Sequence, residues 1–351
     1  MASVRAVTVI PGTPNSLRLE DDWPEPAEQE GPVLVEAVSV GICGTDQEIV
    51  DGDYGTAPPD APRLVLGHES LGRVVTDSSG TFKPGDLVAG IVREPDPEPC
   101  PSCAVDEWDM CRNGRYTEHG IKELHGFARD RWRLRPEYTV RLEPALGETG
   151  VLLEPTSVVA KAWDHVERIG SRSVWQPRIA LITGAGPVGL LAAMLAAQRG
   201  LDVHVLDRVD HGPKPELVRA LGATYHAGDI GELDLVPDVV IECTGAPAVV
   251  VDVMFKAGPS GIVCLAGVST GPYRLRLDAG LLSRDLVLEN NVVFGSVNAN
   301  RRHWEQAATG LAKADGDWLN RLITRRLPVT DYAQAYRPAA EEIKVVLDFT
   351  R

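Results

Sequence analysis

Hydrophobic and polar positions divide this chain into two textures. Up to about residue 155, short β-branched runs alternate with turn residues: VRAVTVI at 4–10, GPVLVEAVSVGI at 31–42, LGRVV at 71–75 and DLVAGIV at 86–92. Short apolar runs bounded by Gly and Pro predict antiparallel strands of a β-rich unit. Pro84 and Gly85, in FKPGDLVAG, form the turn pair that feeds one of them. Near 151 the texture changes, and LLEPTSVVAKAWDHVERI takes helical spacing after Pro155. From 178 strands alternate with helices: RIALITG, the helix GPVGLLAAMLAAQRG, VHVLD, the helix PKPELVRALGA, DVVIECTG, the helix AVVVDVMFKAG, then GIVCLAG. That order predicts a doubly wound parallel sheet covered by helices on both faces. The tail from about 302 carries a helix and ends in KVVLDFT, a final strand.

Composition adds limits. A chain of 351 residues exceeds what one core usually organises, so two domains are expected. A hydrophobic content of 44% with 24% charged residues belongs to an ordinary soluble globular protein. The formal net charge of −15 argues against nucleic acid or an anionic membrane as partner, since both need clustered Lys and Arg. The N-terminal MASVRAVTVIPG lacks the pattern of a signal peptide, and no apolar run is long enough for a membrane span. The six cysteines, Cys43, Cys100, Cys103, Cys111, Cys243 and Cys264, are therefore expected in a reducing cytoplasm. Close spacing there points to metal or catalysis before disulfides.

In ALITGAGPVGLLAAML, Gly184, Gly186 and Gly189 form G-x-G-x-x-G between an apolar strand and a helix beginning at Pro187 and Val188. The pattern alone is weak; in this context it predicts a dinucleotide site with the pyrophosphate at the helix N-terminus. Asp207 ends the next strand, where an acid accepts from a ribose 2′-hydroxyl and repels a 2′-phosphate, so NAD is favoured over NADP. The plainer reading of Asp207 is a solvated strand end, and Arg208 beside it is a possible phosphate contact. Thr244 and Gly245 follow one strand of this half, Val268 and Ser269 another, as cofactor contacts or plain turn residues.

Cys43, His68 and Glu69 lie in glycine-flanked turns of the β unit, and Glu154 precedes Pro155. Thiolate, imidazole and carboxylate are zinc ligand types, and a catalytic site uses three with one position open. Asp46 is placed to orient His68, and Thr45 offers a hydroxyl for proton relay. Taken singly, Cys43 reads as core, His68 as a satisfied loop histidine and Glu154 as a helix-start acid; the combination favours metal. In PEPCPSCAVDEWDMC, Cys100, Cys103 and Cys111 give C-x2-C-x7-C, most of a structural zinc site. The expected fourth ligand is Asp96 or Glu98.

Together these residues resemble the zinc-dependent medium-chain dehydrogenase/reductase superfamily over essentially the whole chain. The segments that carry the likeness are CGTD at 43–46, GHE at 67–69 and EP at 154–155. The resemblance implies an α/β fold with a GroES-like catalytic domain over 1–156, completed by 302–351, and a Rossmann domain over 157–301. It also implies catalytic zinc on Cys43, His68 and Glu154, with Glu69 exchanging for Glu154 in some members. The structural lobe of the family has a fourth cysteine where this chain has Pro97. Within the superfamily the likeness is greatest to archaeal-type glucose dehydrogenases, through YTEHGIKELHGFARD, LLEPTSVVAKA and VFGSVNAN. That resemblance implies that Glu118 binds sugar hydroxyls and that Asn298 lies where nicotinamide and substrate meet. It also places Thr45, His68, Glu69 and Glu154 against the substrate. Two departures keep the sugar open: Val158 stands where an acid is expected, and Asp207, Arg208, Val209 replace the neutral residue and paired arginines of NADP users.

The expected chemistry is oxidation of a sugar or polyol hydroxyl by hydride transfer, with a homodimer or homotetramer as the assembly. The competing expectations are another polyol, aminocyclitol or threonine-type dehydrogenase, a zinc-free reductase of the same superfamily, and a dinucleotide-binding protein without catalysis. The last two have no use for the Cys43, His68 and Glu154 set.

Overall fold

Alternating burial over 33–38, followed by complete burial over 39–42, makes the strand Val33–Ile42 the axis of the first half of the molecule. In the computed structural model, which describes residues 3–269, 273–337, 339 and 341–351, it pairs antiparallel with Glu69–Asp77 on one side and Lys344–Asp348 on the other. The sheet order is Thr139–Arg141, Leu87–Gly90, Glu69–Asp77, Val33–Ile42, Lys344–Asp348, Ile323–Pro328, and Arg131–Leu134 also pairs with Val33–Glu36. Val35, Val40, Leu71, Trp132 and Leu134 of these strands are buried, as is Phe127, with the Phe127 and Trp132 rings 4.9 Å apart. Each such aliphatic side chain contributes about 1.5–3 kcal/mol by leaving water.

The chain divides into two compact units, Met1–Glu154 with Ala299–Arg351, and Pro155–Asn298. These boundaries fall slightly before the 156/157 and 301/302 expected from sequence. The helix expected after Pro155 runs over Leu153–Gly170, with the proline in its first turn, where a missing N–H costs nothing.

The second unit holds a six-stranded, all-parallel sheet. Its order is Thr224–Ala227, Asp202–Asp207, Ile179–Thr183, Val239–Glu242, Ile262–Leu265, Val292–Gly295. Leu181, Leu206, Val240 and Val263 form its core with Ile230 and Val253. Strands buried on both faces need continuous apolar runs, which is why IALIT and VVI read as they do. Strand order reverses between Ile179–Thr183 and Val239–Glu242, and the crevice beyond such a reversal is where open α/β sheets bind ligands. Among the described residues no helix is long and apolar enough to cross a membrane.

Candidate active site

Cys43 ends the turn after Val33–Ile42 and caps the helix Gly44–Asp51. Asp46, in the first turn of that helix and fully buried, accepts from the Cys43 N–H at 3.0 Å through Oδ2. Its other oxygen faces His68 Nδ1 at 3.3 Å. That contact turns His68 Nε2 toward Cys43 Sγ, 3.0 Å away. Burial works against a charged His68, but the charges of Asp46 and Cys43 outweigh it and raise its pKa. Glu69 brings a carboxylate oxygen to the same place: ligand atoms of Cys43, His68 and Glu69 lie within 4.8 Å of one another. Glu154 is outside that trio. Its surroundings desolvate it and push its pKa up to about 7; the Glu69 charge adds to this, while His68 and Lys344 oppose it. Thr45 sits half-buried in the first turn of the helix. The donor set fits zinc, and the buried carboxylate behind His68 is the usual device for holding a ligating imidazole in one tautomer.

Sequence reasoning missed Lys344. It is 1% exposed, and its Nζ donates to Glu69 Oε1 at 2.6 Å, Glu69 Oε2 at 2.7 Å and the Ile42 carbonyl at 3.1 Å. Burial opposes its charge, yet Glu69 and then Cys43 more than compensate, so its pKa is raised and it is an ammonium. The one signal was a lysine opening an otherwise apolar strand. Tyr336 was missed as well. Its hydroxyl is buried without a hydrogen-bond partner, and Asp46 and Cys43 are the charges it feels most.

Glu118, expected on the sugar, is 5% exposed, and its Oε1 accepts from Arg93 Nε at 3.0 Å and Nη2 at 2.9 Å. Arg93 also stacks 3.6 Å from the Tyr116 ring centroid, so the carboxylate is held in a fixed orientation.

The thiols of Cys100, Cys103 and Cys111 gather within 4.8 Å of one another. Cys100 Sγ accepts from the backbone N–H of Arg112 at 3.4 Å and of Cys103 at 3.5 Å, bonds that lower its pKa to about 6. Burial pushes Cys103 up to about 11. Sulfur ringed by backbone donors is prepared to carry charge, which fits a metal. The expected fourth ligand is not found where the sequence placed it. Asp96 Oδ2 is taken by Asn113 at 2.8 Å and Arg115 at 3.2 Å, and Glu98 pairs with Arg115 at the surface.

In the second unit Gly184 has φ +90°, and a Cβ on Gly189 would lie 1.8 Å from the Gly184 carbonyl oxygen, whereas one on Gly186 would meet nothing within 4 Å. The loop is therefore open at Gly186 and closed at Gly189, as a backbone cradle for a pyrophosphate requires. Pro187 and Val188 open the helix Pro187–Gln198. Asp207 Oδ2 accepts from the Ala185 N–H at 2.7 Å and from Lys214 at 3.2 Å. Despite burial, these bonds lower its pKa and keep it ionised; Arg208 is exposed. Fully buried Glu242, read beforehand only as part of a strand, organises the next turn by accepting from Thr244 N–H at 2.6 Å and Gly245 N–H at 3.1 Å. Thr244 and Val268 are exposed, and Ser269 Oγ donates to the Gly245 carbonyl at 2.6 Å. Asn298 follows the last parallel strand at φ 60°.

Residues 29–144 match the Alcohol dehydrogenase GroES-like domain family and residues 147–349 the Glucose dehydrogenase C-terminus family. Glucose 1-dehydrogenase 1 of Caldivirga maquilingensis is 42% identical over 98% of this chain and 99% of its own. Glucose 1-dehydrogenase of Thermoproteus tenax is 41% identical with the same coverage. Among solved structures, Haloferax mediterranei glucose dehydrogenase in complex with NADP, Zn and gluconolactone superposes with a TM-score of 0.90 at 31% identity, covering 99% of both chains. With a β-rich unit that gathers zinc ligands and a parallel sheet that carries the dinucleotide loop, the chain belongs to the glucose dehydrogenase family of the zinc-dependent medium-chain dehydrogenases.

Proposed function

We propose that the protein oxidises the anomeric hydroxyl of glucose or a closely related aldose, with NAD as the preferred acceptor. The observation that carries this reading is the convergence of Cys43 Sγ, His68 Nε2 and a Glu69 oxygen within 4.8 Å in a chain of this family. When bound, zinc supplies Lewis acidity that lowers a hydroxyl pKa, and the nicotinamide supplies the hydride acceptor. Cys43, His68 and Glu154 would hold the metal, with Glu69 beside it. Asp46 fixes the His68 tautomer so that Nε2 is the ligating atom. Thr45 passes the hydroxyl proton outward. Glu118, locked by Arg93, accepts from sugar hydroxyls and so disfavours substrates that lack them. Gly184, Gly186, Pro187, Val188 and Gly189 cradle the pyrophosphate, while Thr244, Val268 and Asn298 contact the rest of the cofactor.

NAD is preferred because the ionised Asp207 carboxylate repels a 2′-phosphate, although the Haloferax relative carries NADP. In steady-state kinetics on a panel of aldoses, polyols and cyclitols, glucose is expected to give the highest kcat/KM, and NAD a higher value than NADP. A polyol ranking first removes the substrate assignment, and an NADP preference removes the cofactor assignment. Cys100, Cys103 and Cys111 would hold a structural zinc. A reducing cytoplasm suits a chain that needs these sulfurs and Cys43 as thiolates.

The assembly is a homodimer or a pair of such dimers. Among the described residues, the strand Val292–Gly295 ends the parallel sheet with one edge unpaired. The adjoining helix Ala279–Leu288 has no buried residue, and Val287 and Leu288 are 71% and 69% exposed. An open apolar edge invites a second copy. Sedimentation velocity is expected to show a dimer or tetramer, and a monomer at micromolar concentration would refute this part.

A further inference from the structure

Glu69 reaches Lys344 across an intervening strand. Gly41, the cross-strand partner of Glu69, lies in Val33–Ile42, and the same Gly41 is opposite Val346 of the last strand. A Cβ on Gly41 would lie 2.0 Å from Glu69 Oε2. Gly41 therefore seats the Glu69 carboxylate, and Lys344 closes the seat by bonding both its oxygens. A carboxylate held this way sits near Cys43 and His68 with its charge already spent on an ammonium.

We propose that Lys344 is a positioning residue that holds Glu69 off the metal and so keeps a coordination position open for the sugar. The inference rests on the zinc reading above. Zinc at this centre gains rate only while one position is open to substrate. Glu69 shares the 4.8 Å cluster with the thiol and the imidazole, whereas Asp46 is committed to the other ring nitrogen and the Cys43 N–H, so Glu69 is the group that would close that position. Without the Lys344 ammonium, Glu69 is a buried carboxylate whose remaining cation is the metal, and it moves onto it. Metal binding then tightens while turnover falls. A lysine that merely supported the fold would, when lost, loosen the site and weaken metal binding instead.

The test uses Co2+ as a spectroscopic substitute for zinc in the purified enzyme, with Lys344→Met, Lys344→Arg, Gly41→Ala and Lys344→Met/Glu69→Gln. In wild type the visible bands are expected to have four-coordinate intensity. In Lys344→Met those bands weaken toward five-coordinate intensity, metal release to a chelator slows, and kcat drops by about 10–100-fold, the range of activity lost when a partner that orients a metal site is removed. Lys344→Arg keeps the wild-type spectrum, and the double variant returns to it. Gly41→Ala, which unseats Glu69 with Lys344 in place, shifts the spectrum as Lys344→Met does and keeps the test alive if Lys344→Met does not fold. An unchanged spectrum in Lys344→Met or Gly41→Ala, or faster metal release, overturns the proposal while leaving the zinc centre standing. A wild-type protein that binds no cobalt with thiolate charge-transfer absorption overturns both.

Discussion

Cys43→Ala is expected to lower kcat/KM for sugar oxidation by on the order of 10³-fold or more, because the Lewis acidity at stake is worth several kcal/mol and each 1.4 kcal/mol is a decade in rate. The loss should appear at once as substoichiometric metal at this centre. It should not appear as unfolding. Cys43 is only half-buried and stands at the cap of a short helix, where alanine leaves backbone and packing intact. The Asp46 carboxylate still accepts the residue-43 N–H. Metal analysis, kinetics and a melting curve on one preparation separate these effects. Full turnover in Cys43→Ala removes the catalytic role given to this thiol, and a collapse of the melting transition makes it structural.

Why the thiol was legible and its surroundings were not is a matter of chemistry per residue. Cys, His and Asp in glycine-flanked turns are costly to place idly, so Cys43, Asp46 and His68 stood out before any geometry was known. The strand and helix alternation of the second unit was equally legible, because buried parallel strands need apolar runs and each helix needs a punctuated start. Lys344 was opaque for the opposite reason. A lysine at a strand end usually reaches water, and its partner Glu69 is 275 positions away. Only the strand register, with Gly41 between the two, turns a surface-type residue into a buried one. Arg93 and Glu118, 25 positions apart, hid the same way.

Asp96 and Glu98 show the reverse case. An acid close in sequence to three thiols was taken for a ligand, yet its carboxylate oxygens bond neighbouring Arg115 and Asn113. Glu242 was read as part of an apolar strand because nothing in DVVIECTG announces that its own turn supplies the donors. In each case sequence gave residue type and spacing, and the competing partner decided the role.

Gly189→Ala separates the two units' contributions. The added Cβ would lie 1.8 Å from the Gly184 carbonyl oxygen, a backbone atom in a turn at φ +90°, so neither side yields cheaply. Overpacking of this kind costs about 1–3 kcal/mol, and for a unit of about 150 residues each kcal/mol shifts Tm by about 2–4 °C. Relief comes by moving the helix Pro187–Gln198 away from the strand Ile179–Thr183, which takes its N-terminal N–H groups off the proposed pyrophosphate position. Dinucleotide affinity is therefore expected to fall about 10–100-fold, equal to roughly 1.4–2.8 kcal/mol. The proposed zinc ligands belong to the other unit, so zinc stoichiometry should stay at the wild-type value. Fluorescence titration with NADH and metal analysis on the same sample check both halves. Unchanged NADH affinity would remove the pyrophosphate from this loop, whereas a parallel loss of zinc would show that the strain spreads beyond the sheet that bears it.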